Sequence, residues 1–75
     1  MEKLKITCST DTTKFLLIDK TQALKLELAI NTLPNPDYWR KLGDQLYNYH
    51  AYQKINAPVI ATPPQLDTFK NILNL

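Results

Sequence analysis

Proline placement is the strongest constraint on this chain, which has five prolines and a single glycine. In Leu33-Pro34-Asn35-Pro36 neither proline can continue a regular hydrogen-bond ladder, and Leu33 and Asn35, each preceding a proline, are pushed toward extended geometry. Whatever element precedes residue 33 must stop there. Asn56-Ala57-Pro58 forms a second break, and Thr62-Pro63-Pro64 a third.

The same prolines also start helices. Asn35 as N-cap, Pro36 at the first helical position and Asp37 in the first turn are three start signals, each satisfying or complementing the free N–H groups of a helix end. They predict a helix from residue 36 to about Ile55. At roughly 100° per residue Trp39, Leu42, Leu46 and Tyr49 share its core-facing stripe, with Tyr38, His50 and Gln53 at the margins. Thr62 as N-cap and a proline at the first position then predict a short last helix, with Leu66, Phe69, Ile72 and Leu73 on its apolar face. Val59-Ile60-Ala61 reads as an apolar connector between the two.

The first third of the chain has strand character. From Lys3 to Cys8, Leu4, Ile6 and Cys8 alternate with Lys3, Lys5 and Thr7, which predicts a half-buried strand at about residues 2–9. Ser9-Thr10-Asp11-Thr12 is a cluster of short polar side chains suited to a turn, and Lys14–Ile18 reads as the second strand of a hairpin. Phe15-Leu16-Leu17-Ile18 is apolar on both faces, so this strand needs cover above and below, one of which can come from outside the chain.

Residues 22–31 give contradictory signals. Leu24, Leu26, Leu28 and Ile30 alternate with Lys25, Glu27 and Ala29 as a strand would, giving a three-stranded antiparallel meander. Against that, Ala, Leu, Lys, Glu and Gln are strong helix formers, and Asp19-Lys20-Thr21-Gln22 resembles a capping box. Ala23, Leu26, Ile30 and Leu33 also fall on one helical face, so helix is preferred. The expected fold is therefore a single α+β domain over residues 1–75. Its N-terminal hairpin, or meander, packs against a long Tyr-rich helix and a short C-terminal one.

At 75 residues and 8.7 kDa, one core rarely supplies more than about 3–5 kcal/mol, and such chains commonly add disulfides, a metal or a partner. Cys8 is the only cysteine and His50 the only histidine, so neither an intrachain disulfide nor a four-ligand Cys/His zinc site can be built. Partner association remains. No apolar run approaches the roughly 18–20 residues of a membrane span, and Met1-Glu2-Lys3-Leu4-Lys5 lacks the apolar core of a secretory signal. A reducing, cytoplasmic setting is expected. The net charge of +2 is a mild excess, without the clustered basic stretch typical of nucleic-acid binding.

Catalytic chemistry has few candidates. Ser9 is the only serine, so Cys8 or Ser9 with His50 is the one conceivable nucleophile pair. Cys8 is more simply a small buried hydrophobe, and His50 an amphipathic edge residue. Asp11, Asp19, Asp37, Asp44 and Asp67 sit where turns and caps want them, and no two share an apolar patch that would split their pKa values. Gly43 lies inside a helix, where it is either a close-packing position or a tolerated surface glycine, and no glycine-rich phosphate loop exists. No enzyme, cofactor, metal or small-molecule substrate is expected.

The feature that exceeds background is aromatic: Tyr38, Trp39, Tyr47, Tyr49 and Tyr52 fall on one helix. Trp39 and Tyr49 belong to the core stripe, whereas Tyr47 and Tyr52 project from opposite flanks, where neighbouring helices would have to cover both. Uncovered, they mark a binding surface. The sequence therefore predicts a protein-binding adaptor, inhibitor or assembly factor. Trp39, Arg40, Tyr47 and Tyr52 would contact the partner, with Phe15 and Leu17 supplying an edge or face for pairing, and the partner would be another protein or a second copy. The alternative is a nucleic-acid-binding regulator that stacks bases on Tyr47 or Tyr52 and contacts phosphates through Arg40, Lys41 and the N-terminal lysines. In that version Lys3, Lys5, Lys14 and Lys25 share one side of a sheet if residues 22–31 form a strand.

Overall fold

The computed structural model describes residues 2–55 and 57–75. Met1, at the head of the N-terminal run, and Asn56, in the proposed stop of the long helix, lie outside the described residues. The elements in chain order are β1 (Leu4–Cys8), β2 (Phe15–Ile18), α1 (Lys20–Ile30), α2 (Pro36–Tyr52), β3 (Val59–Ala61) and α3 (Pro63–Leu73). The three strands form one mixed sheet in the order β2-β1-β3. No helix among the described residues is long and apolar enough to cross a membrane.

The hairpin is fixed by its turn. The Asp11 carboxylate accepts from the Thr13 amide at 3.0 Å and the Thr13 hydroxyl at 2.6 Å, and the Lys14 N–H donates to the Asp11 carbonyl at 3.0 Å. β1 and β2 then pair antiparallel with Leu4 opposite Ile18 and Thr7 opposite Phe15.

Residues 20–30 resolve as helix, and the meander is overturned. The capping box forms in full: the Gln22 amide donates to Asp19 at 2.8 Å, and the Asp19 amide donates to the Gln22 side chain at 2.9 Å. Helical periodicity then splits the alternating leucines. Leu26 and Ile30 join Ala23 in the core, while Leu24 and Leu28 remain exposed.

The third strand comes instead from the stretch read as a connector. Val59–Ala61 lies parallel to β1, with Ile6 opposite Val59 and Cys8 opposite Ala61. Three residues are too few for a period-2 signal to stand out, and their partners lie some fifty residues away in sequence.

α2 begins at Pro36 as expected, but Asn35 does not act as a side-chain cap. It adopts a left-handed conformation (φ 60°), makes no side-chain cap bond, and contributes only its carbonyl, which accepts from the Tyr38 amide at 3.0 Å. Asparagine is one of the few residues that tolerate this region, and here it lies between two prolines. α2 ends before Ile55 because Gln53 turns left-handed (φ 56°) and returns its N–H to the Asn48 and Tyr49 carbonyls. α3 starts on a second capping box, between Thr62 and Gln65. The Gln65 amide is buried yet satisfied, accepting from the Thr62 N–H at 2.8 Å and donating to the Tyr38 carbonyl at 3.2 Å.

The buried apolar side chains of the described residues form one core. Leu4, Ile6, Cys8, Leu16, Ile18, Val59 and Ala61 from the sheet meet Ala23, Leu26, Ile30, Leu42, Leu46, Tyr49, Leu66 and Phe69 from the helices. Because strand side chains alternate, every sheet residue in that core lies on one face, and on the other Phe15, Leu17 and Ile60 stay exposed among the described residues.

Candidate functional site

The open sheet face is built from the residues that alternate with the core. Phe15 and Leu17 from β2 and Ile60 from β3 are 45%, 49% and 55% exposed, with Lys5 and Thr7 of β1 between them. Register puts Phe15, Thr7 and Ile60 in one row across the sheet, and Leu17 beside Lys5 in the next. The Lys5 ammonium lies 4.5 Å from the centre of the Phe15 ring, so its charge caps part of this apolar surface without hiding it. The strand that looked apolar on both faces is thus covered on one face by the helices and bare on the other.

Phe15 and Leu17 therefore belong together. Ile60, the third member, was missed because its strand was read as a connector. Val59, Ile60 and Ala61 are all apolar, so the sequence carries no alternation there, and the buried–exposed–buried pattern exists only in the structure.

Trp39, Arg40 and Tyr47 are brought together elsewhere, along a groove of about 440 Å³ between α1 and α2. Glu27, Asp37 and Asp44 line the same groove. Glu27 is already engaged: His50 Nε2 lies 3.0 Å from one carboxylate oxygen and Asn31 donates to the other at 2.6 Å. Trp39 is half-buried, its ring tilted on Phe69 with centroids 5.8 Å apart and meeting Tyr38 edge-on at 5.0 Å. Gly43 also lines this groove, and a Cβ placed there would sit 3.5 Å from Ile30 Cδ1, an ordinary contact. Close packing therefore does not demand glycine.

Tyr47 and Tyr52 do not project to opposite flanks. Their rings meet edge to face with centroids 5.7 Å apart, and Tyr47 meets the His50 ring in the same way at 5.5 Å. A tyrosine ring stands far enough from the helix axis to reach around the last turn, which backbone angles alone do not convey. The neighbouring Tyr52 phenol, followed by desolvation and the charge of Glu27, holds the Tyr47 hydroxyl above its ordinary value. Both rings remain about half exposed. Lys25, formerly a candidate for a basic sheet, lies on α1 instead.

The residues weighed for nucleophilic chemistry have separate partners. Cys8 is buried, with its Sγ 3.4 Å from the Thr10 hydroxyl, and hydrogen bonding from the Thr10 side chain and backbone holds the thiol below its ordinary value. His50 faces Glu27 across the two helices. Among the described residues no group of three or more His, Cys, Asp or Glu side chains is placed to hold a metal ion.

No family model, curated protein or solved structure compared with the chain matches it.

Proposed function

We propose that this chain is a recognition module without chemistry of its own, acting by stoichiometric binding as an adaptor, inhibitor or assembly factor. The observation that carries this reading is the uncovered sheet face. Phe15, Leu17 and Ile60 share the outer face of a sheet whose opposite face packs on the helices, with Phe15 and Ile60 on either side of Thr7. Apolar side chains on a rigid strand surface lose little conformational entropy when a partner covers them, which favours binding. Trp39, Arg40, Tyr47 and Tyr52 form a second surface on the helices, suited to a separate contact.

The test is capture of partners from native lysate by the wild-type chain and by a Phe15→Lys/Ile60→Lys variant, at low and at high salt. A partner retained by the wild type at high salt and lost by the variant supports the reading; equal capture by both rejects the sheet face. A nucleic-acid reading draws on one observation, the pairing of the Lys5 ammonium with the exposed Phe15 ring on the same face. It requires capture to fall steeply as salt rises, because phosphate contacts release counterions.

A further inference from the structure

β2 offers an edge as well as a face, and the hydrogen-bond pattern identifies which residues line it. The Cys8 N–H donates to the Lys14 carbonyl at 2.9 Å, so residues 8 and 14 form a hydrogen-bonded pair. Such pairs alternate along an antiparallel ladder, which makes Ile6 with Leu16 and Leu4 with Ile18 the next ones. The N–H and C=O groups of Phe15 and Leu17 therefore point away from β1. β2 is terminal in the order β2-β1-β3, so no strand among the described residues lies on that side to receive them.

The two edges of the sheet are unlike. β3 has three residues, with Pro58 before it and Pro63 and Pro64 after it, and this proline flanking blunts strand addition. β2 reads Phe-Leu-Leu-Ile, with no proline and no charge to protect it.

We propose that the β2 edge pairs with the β2 edge of a second copy of this chain, antiparallel about a twofold axis. This rests on reading the Phe15–Leu17 surface as an interface. With Leu16 on the axis, Phe15 of each copy stands opposite Leu17 of the other, and each such pair exchanges both of its hydrogen bonds, so every outward backbone group of the two residues is satisfied. Their side chains lie on the same open face and form one apolar band across the junction.

Charge favours this arrangement over face-to-face stacking. Stacking the open faces would bring the central Lys5 of each copy toward its equivalent. In the edge-paired sheet the two Lys5 residues are three strand spacings apart, about 14 Å, beyond a Debye length of about 8 Å at physiological salt.

Sedimentation equilibrium of the full chain from micromolar to near-millimolar concentration, with residue-resolved amide exchange, tests the proposal. The mass should double as concentration rises, and the Phe15 and Leu17 amides should exchange at least tenfold more slowly in the dimer, while the Leu16 and Ile18 amides stay protected throughout. Leu17→Pro removes an outward N–H without touching a bond to β1 and should weaken association at least tenfold. Leu17→Lys should do the same by charge if the proline variant fails to fold. Ile60→Lys, on the same face but the other edge, should leave the dimer intact. A monomer at every concentration overturns the proposal, as does a dimer whose Phe15 and Leu17 amides exchange at monomer rates or which Ile60→Lys disrupts. A monomer that still captures a foreign partner through the sheet face would refute the twofold edge and leave the recognition function standing.

Discussion

Lys5 and Phe15 are diagonal neighbours on the exposed side of the hairpin, with the lysine ammonium 4.5 Å from the ring centre. The contact belongs to a strand pair that is finished on one side and unfinished on the other. An exposed contact of this kind contributes only about 0.5–1 kcal/mol, and the Phe15 ring stays about half exposed beneath it.

Alternate residues of β2 should respond to truncation in opposite ways. Leu16→Ala and Ile18→Ala empty core positions and should each cost about 2–5 kcal/mol in chemical denaturation. Phe15→Ala and Leu17→Ala remove half-exposed side chains and should cost about 1 kcal/mol or less while weakening association. Equal losses at all four positions would mean that the outer face is covered within the monomer.

Tyr47→Ala and Tyr52→Ala should each leave stability within about 1 kcal/mol, since both rings are about half exposed and pack chiefly on one another. If the helical surface is used, partner capture should weaken in both. Variants that melt early and still bind would remove these rings from the interface.

The buried Tyr49 hydroxyl donates to the Glu2 carbonyl at 2.6 Å, joining α2 to the start of the chain. Tyr49→Phe keeps the packing and loses that bond, so it should cost about 1 kcal/mol in urea unfolding. It should also speed exchange at the N-terminal end of β1 ahead of the hairpin turn. An unchanged unfolding midpoint would show that the bond adds nothing net.

Gly43→Ala should stabilise the protein by about 1 kcal/mol, because glycine is penalised inside a helix and the added methyl meets Ile30 at an ordinary distance. Thermal unfolding measures this directly. A lower melting temperature would mean that Ile30 cannot accept the contact.

The Asp11 carboxyl is held below its ordinary value by the Thr13 hydroxyl and amide. A carboxylate with a lowered folded-state pKa contributes stability that is present above the unfolded-state value and is lost as pH falls through the folded-state value. Thr13→Ala removes the hydroxyl contact, so the variant should be less stable than wild type near neutral pH, with the difference closing as the carboxyl protonates. Unfolding midpoints between pH 7 and pH 2 give the comparison, and a gap that stays constant with pH would rule out the carboxylate as its origin.

What the sequence determined was local. Capping boxes at Asp19–Gln22 and Thr62–Gln65, the proline at the head of α2 and the turn after Cys8 act through hydrogen bonds and steric limits spanning three or four residues, so their residue types alone reveal them. The apolar character of Phe15–Ile18 on both faces was equally visible. Tertiary structure decided the rest. Val59–Ala61 becomes a strand only because β1 offers it a parallel partner some fifty residues earlier, and Ile60 thereby joins Phe15 and Leu17 on one face. Tyr47 and Tyr52 meet because ring reach outruns backbone angle. Pairings at that sequence distance depend on where the whole chain packs, and no short window of residue types records that.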